Sequence, residues 1–171
     1  MNGAHWHLFL NHLPVLGTFF GILLLLFAWA KNSNEIKRVS LGVFVLTAIS
    51  AIPAYLTGEP AEEVANRLPG VTHALIEHHE EAALIALSAA VAAGVVALAG
   101  LFLSRKAKPL PVWLMLATLF LALATGGLML RTANLGGEIR HTEIRSGSNA
   151  TVPAAGEDQQ KKNEEEREHR D

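Results

Sequence analysis

Cysteine is absent from the 171 residues, which excludes disulfides, thiolate metal sites, iron–sulfur clusters and covalent c-type haem. Aromatic side chains are scarce, at 6%, so the apolar half of the composition rests mainly on leucine and alanine. Charge is missing over long distances. Four runs, Leu13 to Ala30, Val39 to Leu56, Ala82 to Leu103 and Leu110 to Leu130, contain no Asp, Glu, Lys, Arg or His. The formal net charge of −2 hides a segregation: the last twenty-six residues alone hold seven acids and four bases. Nucleic acid is therefore excluded as an expected partner. Histidine and carboxylate are the strong ligands that remain.

Each apolar run is long enough to cross a bilayer core, which takes about 20 helical residues at a rise of about 1.5 Å each. A soluble bundle would show a polar stripe every turn, and these runs show none. The expected class is all-α: a four-helix integral membrane bundle over residues 1–145, followed by a disordered charged tail over 146–171. The sequence Ala28-Trp29-Ala30 has the small-x-small form of a cleavage site. No Lys or Arg precedes the run, however, and Lys31, Lys37 and Arg38 follow it, so the first span is expected to be retained. The links Lys31 to Arg38 and Ser104 to Lys108 hold six bases. That bias places both termini outside the cytoplasm of a bacterial inner membrane, against the contrary pull of Arg131, Arg140 and Arg145.

Four crossings put the amino terminus, the link between the second and third spans, and the carboxyl terminus on one face. Seven of the eight histidines fall there: His5, His7 and His12 before the first span, His73, His78 and His79 before the third, and His141 after the fourth. His169 stands apart in the tail. Residues seven apart on a helix return to within roughly 20° of one direction, so His5 and His12 share a face. His12, deepest in Asn11-His12-Leu13-Pro14, is costly at that depth unless paired or ligated. His73, Glu77, Glu80 and Glu81 share another face. His79 heads a stripe of Ala83, Ala86, Ala90, Ala93 and Ala97, which suits a flat macrocycle or the close approach of a neighbouring helix.

Other features are architectural. Gly17 and Gly21 form a helix-packing pair, and Pro53 is expected to kink the second span. Gly58 to Gly70 should form a short surface helix over the histidine face, and Leu135-Gly136-Gly137 a turn. Ser88 and the other hydroxyls lack a nucleophile setting, and no His-Glu-x-x-His motif is present, so no catalytic residue is expected.

The strings Asn11-His12-Leu13-Pro14-Val15-Leu16-Gly17, Ile52-Pro53-Ala54-Tyr55-Leu56-Thr57-Gly58-Glu59-Pro60-Ala61-Glu62-Glu63, Glu77-His78-His79-Glu80-Glu81 and Leu135-Gly136-Gly137-Glu138-Ile139-Arg140-His141 resemble uncharacterised bacterial four-helix membrane proteins. More distantly, the His-x-Pro start of the first span is similar to small membrane families grouped with the two-haem b-type cytochromes. That resemblance implies a four-helix bundle with bis-histidine haem. No histidine lies in the middle or opposite half of any span, so any haem belongs near the histidine face.

Three functions fit these residues. The first is electron transfer through haem b, ligated by His12 and His79 with Arg131, Arg140 or Arg145 on its propionates, and exchanging electrons with quinol or a partner subunit. The second is a zinc, copper or iron ion on His73, Glu77, His78, Glu80 and Glu81 with His5, His7 or His141. Di-iron bundles use Glu-x-x-His, which Glu77 to Glu81 lacks. The third is an accessory subunit, alone or in an oligomer, whose histidines pair with carboxylates and bind no cofactor.

Overall fold

Three of the apolar runs lie wholly within one helix of the computed structural model, which describes residues 2–105 and 109–145, and the fourth does so from Val112 onward. The helices are α1 (Gly3–Leu10), α2 (His12–Ala30), α3 (Asn34–Leu56), α4 (Gly58–Ala65), α5 (His73–Leu103) and α6 (Val112–Arg140), with no strand among the described residues. Local chemistry sets the starts. The Asn2 side chain accepts from the His5 backbone N–H at 3.1 Å, and Ser33 Oγ accepts from that of Ile36 at 3.4 Å, each satisfying a donor that the first helical turn leaves open. The tight link before α3 places Asn32 at a φ of 48°, a conformation that asparagine tolerates better than most residues.

The chain divides into two units, 1–140 and 141–171. The expected disordered tail and His169 lie outside the described residues. In the first unit, α2 packs on α3, α3 on α5 and α5 on α6, while α2 and α6 close the ring with the sparsest contact. The short helices α1 and α4 pack on each other at one end.

Small residues let the helices approach. A Cβ on Gly21 would stand 2.7 Å from the Phe44 ring, one on Gly17 would meet the Thr47 hydroxyl, and one on Gly94 would meet the Ala48 methyl. The Gly17 and Gly21 pair therefore faces α3. Thr47 is buried, and its hydroxyl has no hydrogen-bond partner among the described residues. The Gly17 Cα–H that takes the Cβ direction points at this oxygen, a weak contact common at close helix crossings. Ala86, Ala90, Ala93 and Ala97 are all buried, so most of the alanine stripe serves helix packing.

The bundle's outside is apolar as well. Phe120 is 72% exposed while Phe44 in the core is 2% exposed, and Leu16, Phe20, Leu23, Leu46 and Val95 also face outward. Water would penalise such a surface. The four helical stretches are long and apolar enough to cross a membrane. At 31 residues, α5 measures about 46 Å, more than a hydrocarbon core of about 30 Å needs.

Two expectations change. Leu135-Gly136-Gly137 is not a turn, because α6 continues through it to Arg140. Gly136 serves close approach: a Cβ there would sit 3.0 Å from Cε1 of the His79 ring. The surface helix between α3 and α5 ends at Ala65, five residues short of Gly70, which takes a left-handed φ of 72°.

Candidate functional site

The end of the bundle that carries α1 and α4 also holds a cleft of about 120 Å³, reached by residues of α1, α2, α3, α5 and α6. Two imidazoles face into it. His7 arrives on α1 and His79 on α5, and their ring centroids lie 6.3 Å apart with planes at 83°. Asn11, Tyr55 and Thr132 add polar groups to the lining; Ala51, Ala54, Ala83, Ala86 and Ala133 make up much of the remainder. Side chains that stop at Cβ leave the imidazole pair uncovered.

Main-chain hydrogen bonds fix both rings. His7 Nδ1 donates to the Ala54 carbonyl at 3.0 Å, and His79 Nδ1 donates to the Thr132 carbonyl at 3.0 Å. A carbonyl oxygen can only accept, so each Nδ1 carries the proton and each neutral ring keeps its lone pair on Nε2. Metal-binding histidines are commonly held in this way. The Ala54 carbonyl is free to serve because it lies in the last turn of α3, where helical carbonyls lack an N–H four residues on. The Thr57 hydroxyl donates to the same oxygen at 2.9 Å.

His12, expected to face His79, lies elsewhere. It is exposed, its Nδ1 donates to the Leu8 carbonyl at 2.6 Å, and it does not line the cleft. Asn11, between α1 and α2, keeps a helical backbone, with its N–H donating to the His7 carbonyl at 2.9 Å, so the helical phase carries through and His7, not His12, takes the inward position. His5 is exposed and its Nδ1 lies 2.8 Å from Asn2 Oδ1. His73, His78, Glu77 and Glu81 are exposed on α5. Glu80, also exposed, lies close to Glu62 on α4, with Glu59 and His73 near enough to act electrostatically. Among the described residues no group of three or more His, Asp or Glu is arranged to hold a metal ion.

Arg131 and Arg140 are exposed on α6 and do not line the cleft. His141 and Arg145 belong to the second unit, where His141 Nδ1 lies 2.8 Å from Glu143 Oε1. The Glu143 carboxyl is held below its usual pKa, first by a hydrogen bond from its own backbone N–H and then by His141.

His7 could have been found from the sequence. The buried face of α2 runs through Pro14, Thr18, Gly21, Ile22, Leu25 and Ala28. Extended backwards from Pro14 by three and seven positions, it passes through Asn11 and His7.

Fold and site together define a helical bundle with a membrane-type exterior and a two-histidine cleft at one end. Comparison with protein-family models, with curated proteins and with solved structures finds no match.

Proposed function

We propose that this chain is a multi-pass protein of a bacterial inner membrane that carries electrons through a b-type haem held by His7 and His79. The observation that carries the reading is the inward pair of imidazoles, each tethered through Nδ1 and each presenting Nε2. An iron held by the Nε2 atoms of both His7 and His79 would need the two ring centroids about 6 Å apart. The separation here is 6.3 Å. Haem needs only two side-chain ligands, since the porphyrin brings four nitrogens of its own. A bare zinc, copper or iron ion is served less well, because no third His, Asp or Glu joins this pair among the described residues.

When bound, the haem iron supplies one-electron chemistry at a potential set by its ligands and by burial. The Ala54 and Thr132 carbonyls orient the rings and raise the basicity of each Nε2. The alanine walls leave room beside the rings, but a macrocycle is larger than the 120 Å³ cleft. Haem would be held here by His7 and His79 only with the surrounding helices moved apart, and α2 and α6 pack least against each other. The base-rich links favour an orientation with the histidine end and both termini outside the cytoplasm. Quinol or a partner subunit is the redox partner of this reading.

The test is a visible spectrum of full-length protein purified from haem-replete cells. A Soret band and a reduced α-band are expected. His7→Ala and His79→Ala should each abolish the low-spin spectrum, while His12→Ala retains it. Colourless protein, or a spectrum that depends on His12 and not on His7, would sink the assignment.

A further inference from the structure

The opposite end of the bundle collects positive charge along one connected path. Lys31 closes α2 and is followed by Asn32, whose Oδ1 accepts from Lys37 Nζ at 3.3 Å. Beside Lys37, Arg38 Nη2 donates to the Ser104 carbonyl at the end of α5, at 2.7 Å, and Arg105 comes next. Four cations at the ends of three helices are thus joined through side chains and main chain, and Glu35 is the one acid beside them in residues 31–38.

Two details point to a surface partner. Lys37 is buried, at 7% exposure, and no carboxylate pairs with it among the described residues. Its ammonium keeps donor capacity that one amide oxygen does not fill. Lys31 and Arg105 stand over the exposed rings of Phe27 and Phe102, at 5.9 Å and 4.0 Å from the centroids. Those stacks hold each charge at the edge of the apolar exterior, and Trp29 and Trp113 are exposed at the same end, as is usual for side chains at a membrane interface.

We infer that this end binds the phosphate headgroups of anionic phospholipids, with Lys31 and Arg105 as the outer contacts and Lys37 deepening the positive field between them. Charge complementarity selects this partner: a cationic rim joined to an apolar wall matches an anionic headgroup joined to acyl chains. The inference rests on the membrane part of the proposed function and not on its haem.

Brominated-lipid quenching of tryptophan tests it. Trp6→Phe leaves Trp29 and Trp113 as the reporters, both at the basic end. The full-length protein is reconstituted into phosphatidylcholine bilayers with rising fractions of brominated phosphatidylglycerol, and separately of brominated phosphatidylcholine. Phosphatidylglycerol should be preferred by about 25-fold, taking about fivefold for each of the two outer charges, and Lys31→Gln with Arg105→Gln should bring the preference close to unity. Arg67→Gln, at the opposite end, should leave it unchanged. Equal quenching by both lipids in protein that floats with the vesicles overturns the inference alone. Failure to float overturns the membrane reading with it. If inorganic phosphate added to detergent-solubilised protein shifts the same tryptophan emission as phosphatidylglycerol does, the site takes free anion and the lipid assignment falls.

Discussion

At the basic end, Leu41 and Leu114 are almost wholly buried, Ser104 is 1% exposed, and Ser40 donates to the Gly21 carbonyl at 2.9 Å. Leu25, Phe44, Ala97 and Met115 complete one continuous core there. At the histidine end the core thins to Ala51, Ala86, Ala90 and Met129, and the cleft opens beside them. One sequence thus builds a tightly packed half and an open half. The difference is one of residue size: leucine and phenylalanine fill the space between helices at one end, and alanine leaves it open at the other. A structural half can be that full, whereas a half that receives a ligand needs room.

The comparison can be broken most directly by truncation. Leu41→Ala should lower stability by about 2–5 kcal/mol, through lost contacts and a new cavity. Leu87→Ala beside the cleft should cost clearly less, because space already lies next to it; reversible unfolding in detergent would measure both. Equal losses would refute the contrast. Enlarging a glycine comes next. Gly94→Val places a branched side chain against Ala48 and should cost about 1–3 kcal/mol. Gly136→Ala should change stability less but displace the His79 ring, visible as a shift in the spectrum of loaded protein.

Removing a cleft imidazole should have a smaller effect on the unloaded fold. His79→Ala deletes one hydrogen bond, to Thr132, at a net cost of about 1 kcal/mol, and calorimetry of unloaded protein should find no more. A loss several times larger would make His79 a structural keystone and weaken its reading as a ligand.

The smallest effect concerns Glu143. Its folded pKa is lowered, so its local contribution is present above the ordinary carboxylate range and is lost as pH falls through the lowered value. A carboxyl NMR titration should find it below the usual range, and His141→Ala should move it only part of the way back, because its own backbone N–H remains. A full return would show that His141 acts alone.

The helical framework was legible in the sequence because each long uncharged run can satisfy its main chain only internally, as a helix. The even number of spans brought the segment with His7 and the segment with His79 to one end, and of the alanines after His79 only Ala83 and Ala86 border the cleft. The choice between His7 and His12 was not legible from depth alone. His12 lies nearer the apolar run, but it is one position out of line with the face of Pro14 and Thr18, and its ring bonds back to its own turn. The Gly136-Gly137 pair misled for a related reason: two glycines suggest a turn until the His79 ring is found to need the space beside Gly136.

The clamps on the two rings are peptide carbonyls, and this bears on how the site can change over time. No substitution at position 54 or 132 deletes an oxygen that belongs to the main chain. Imidazole orientation is therefore inherited with the path of α3 and α6, and a search for an invariant acidic partner of either histidine would overlook it. Drift in the lining can reshape what enters while the ligand geometry persists.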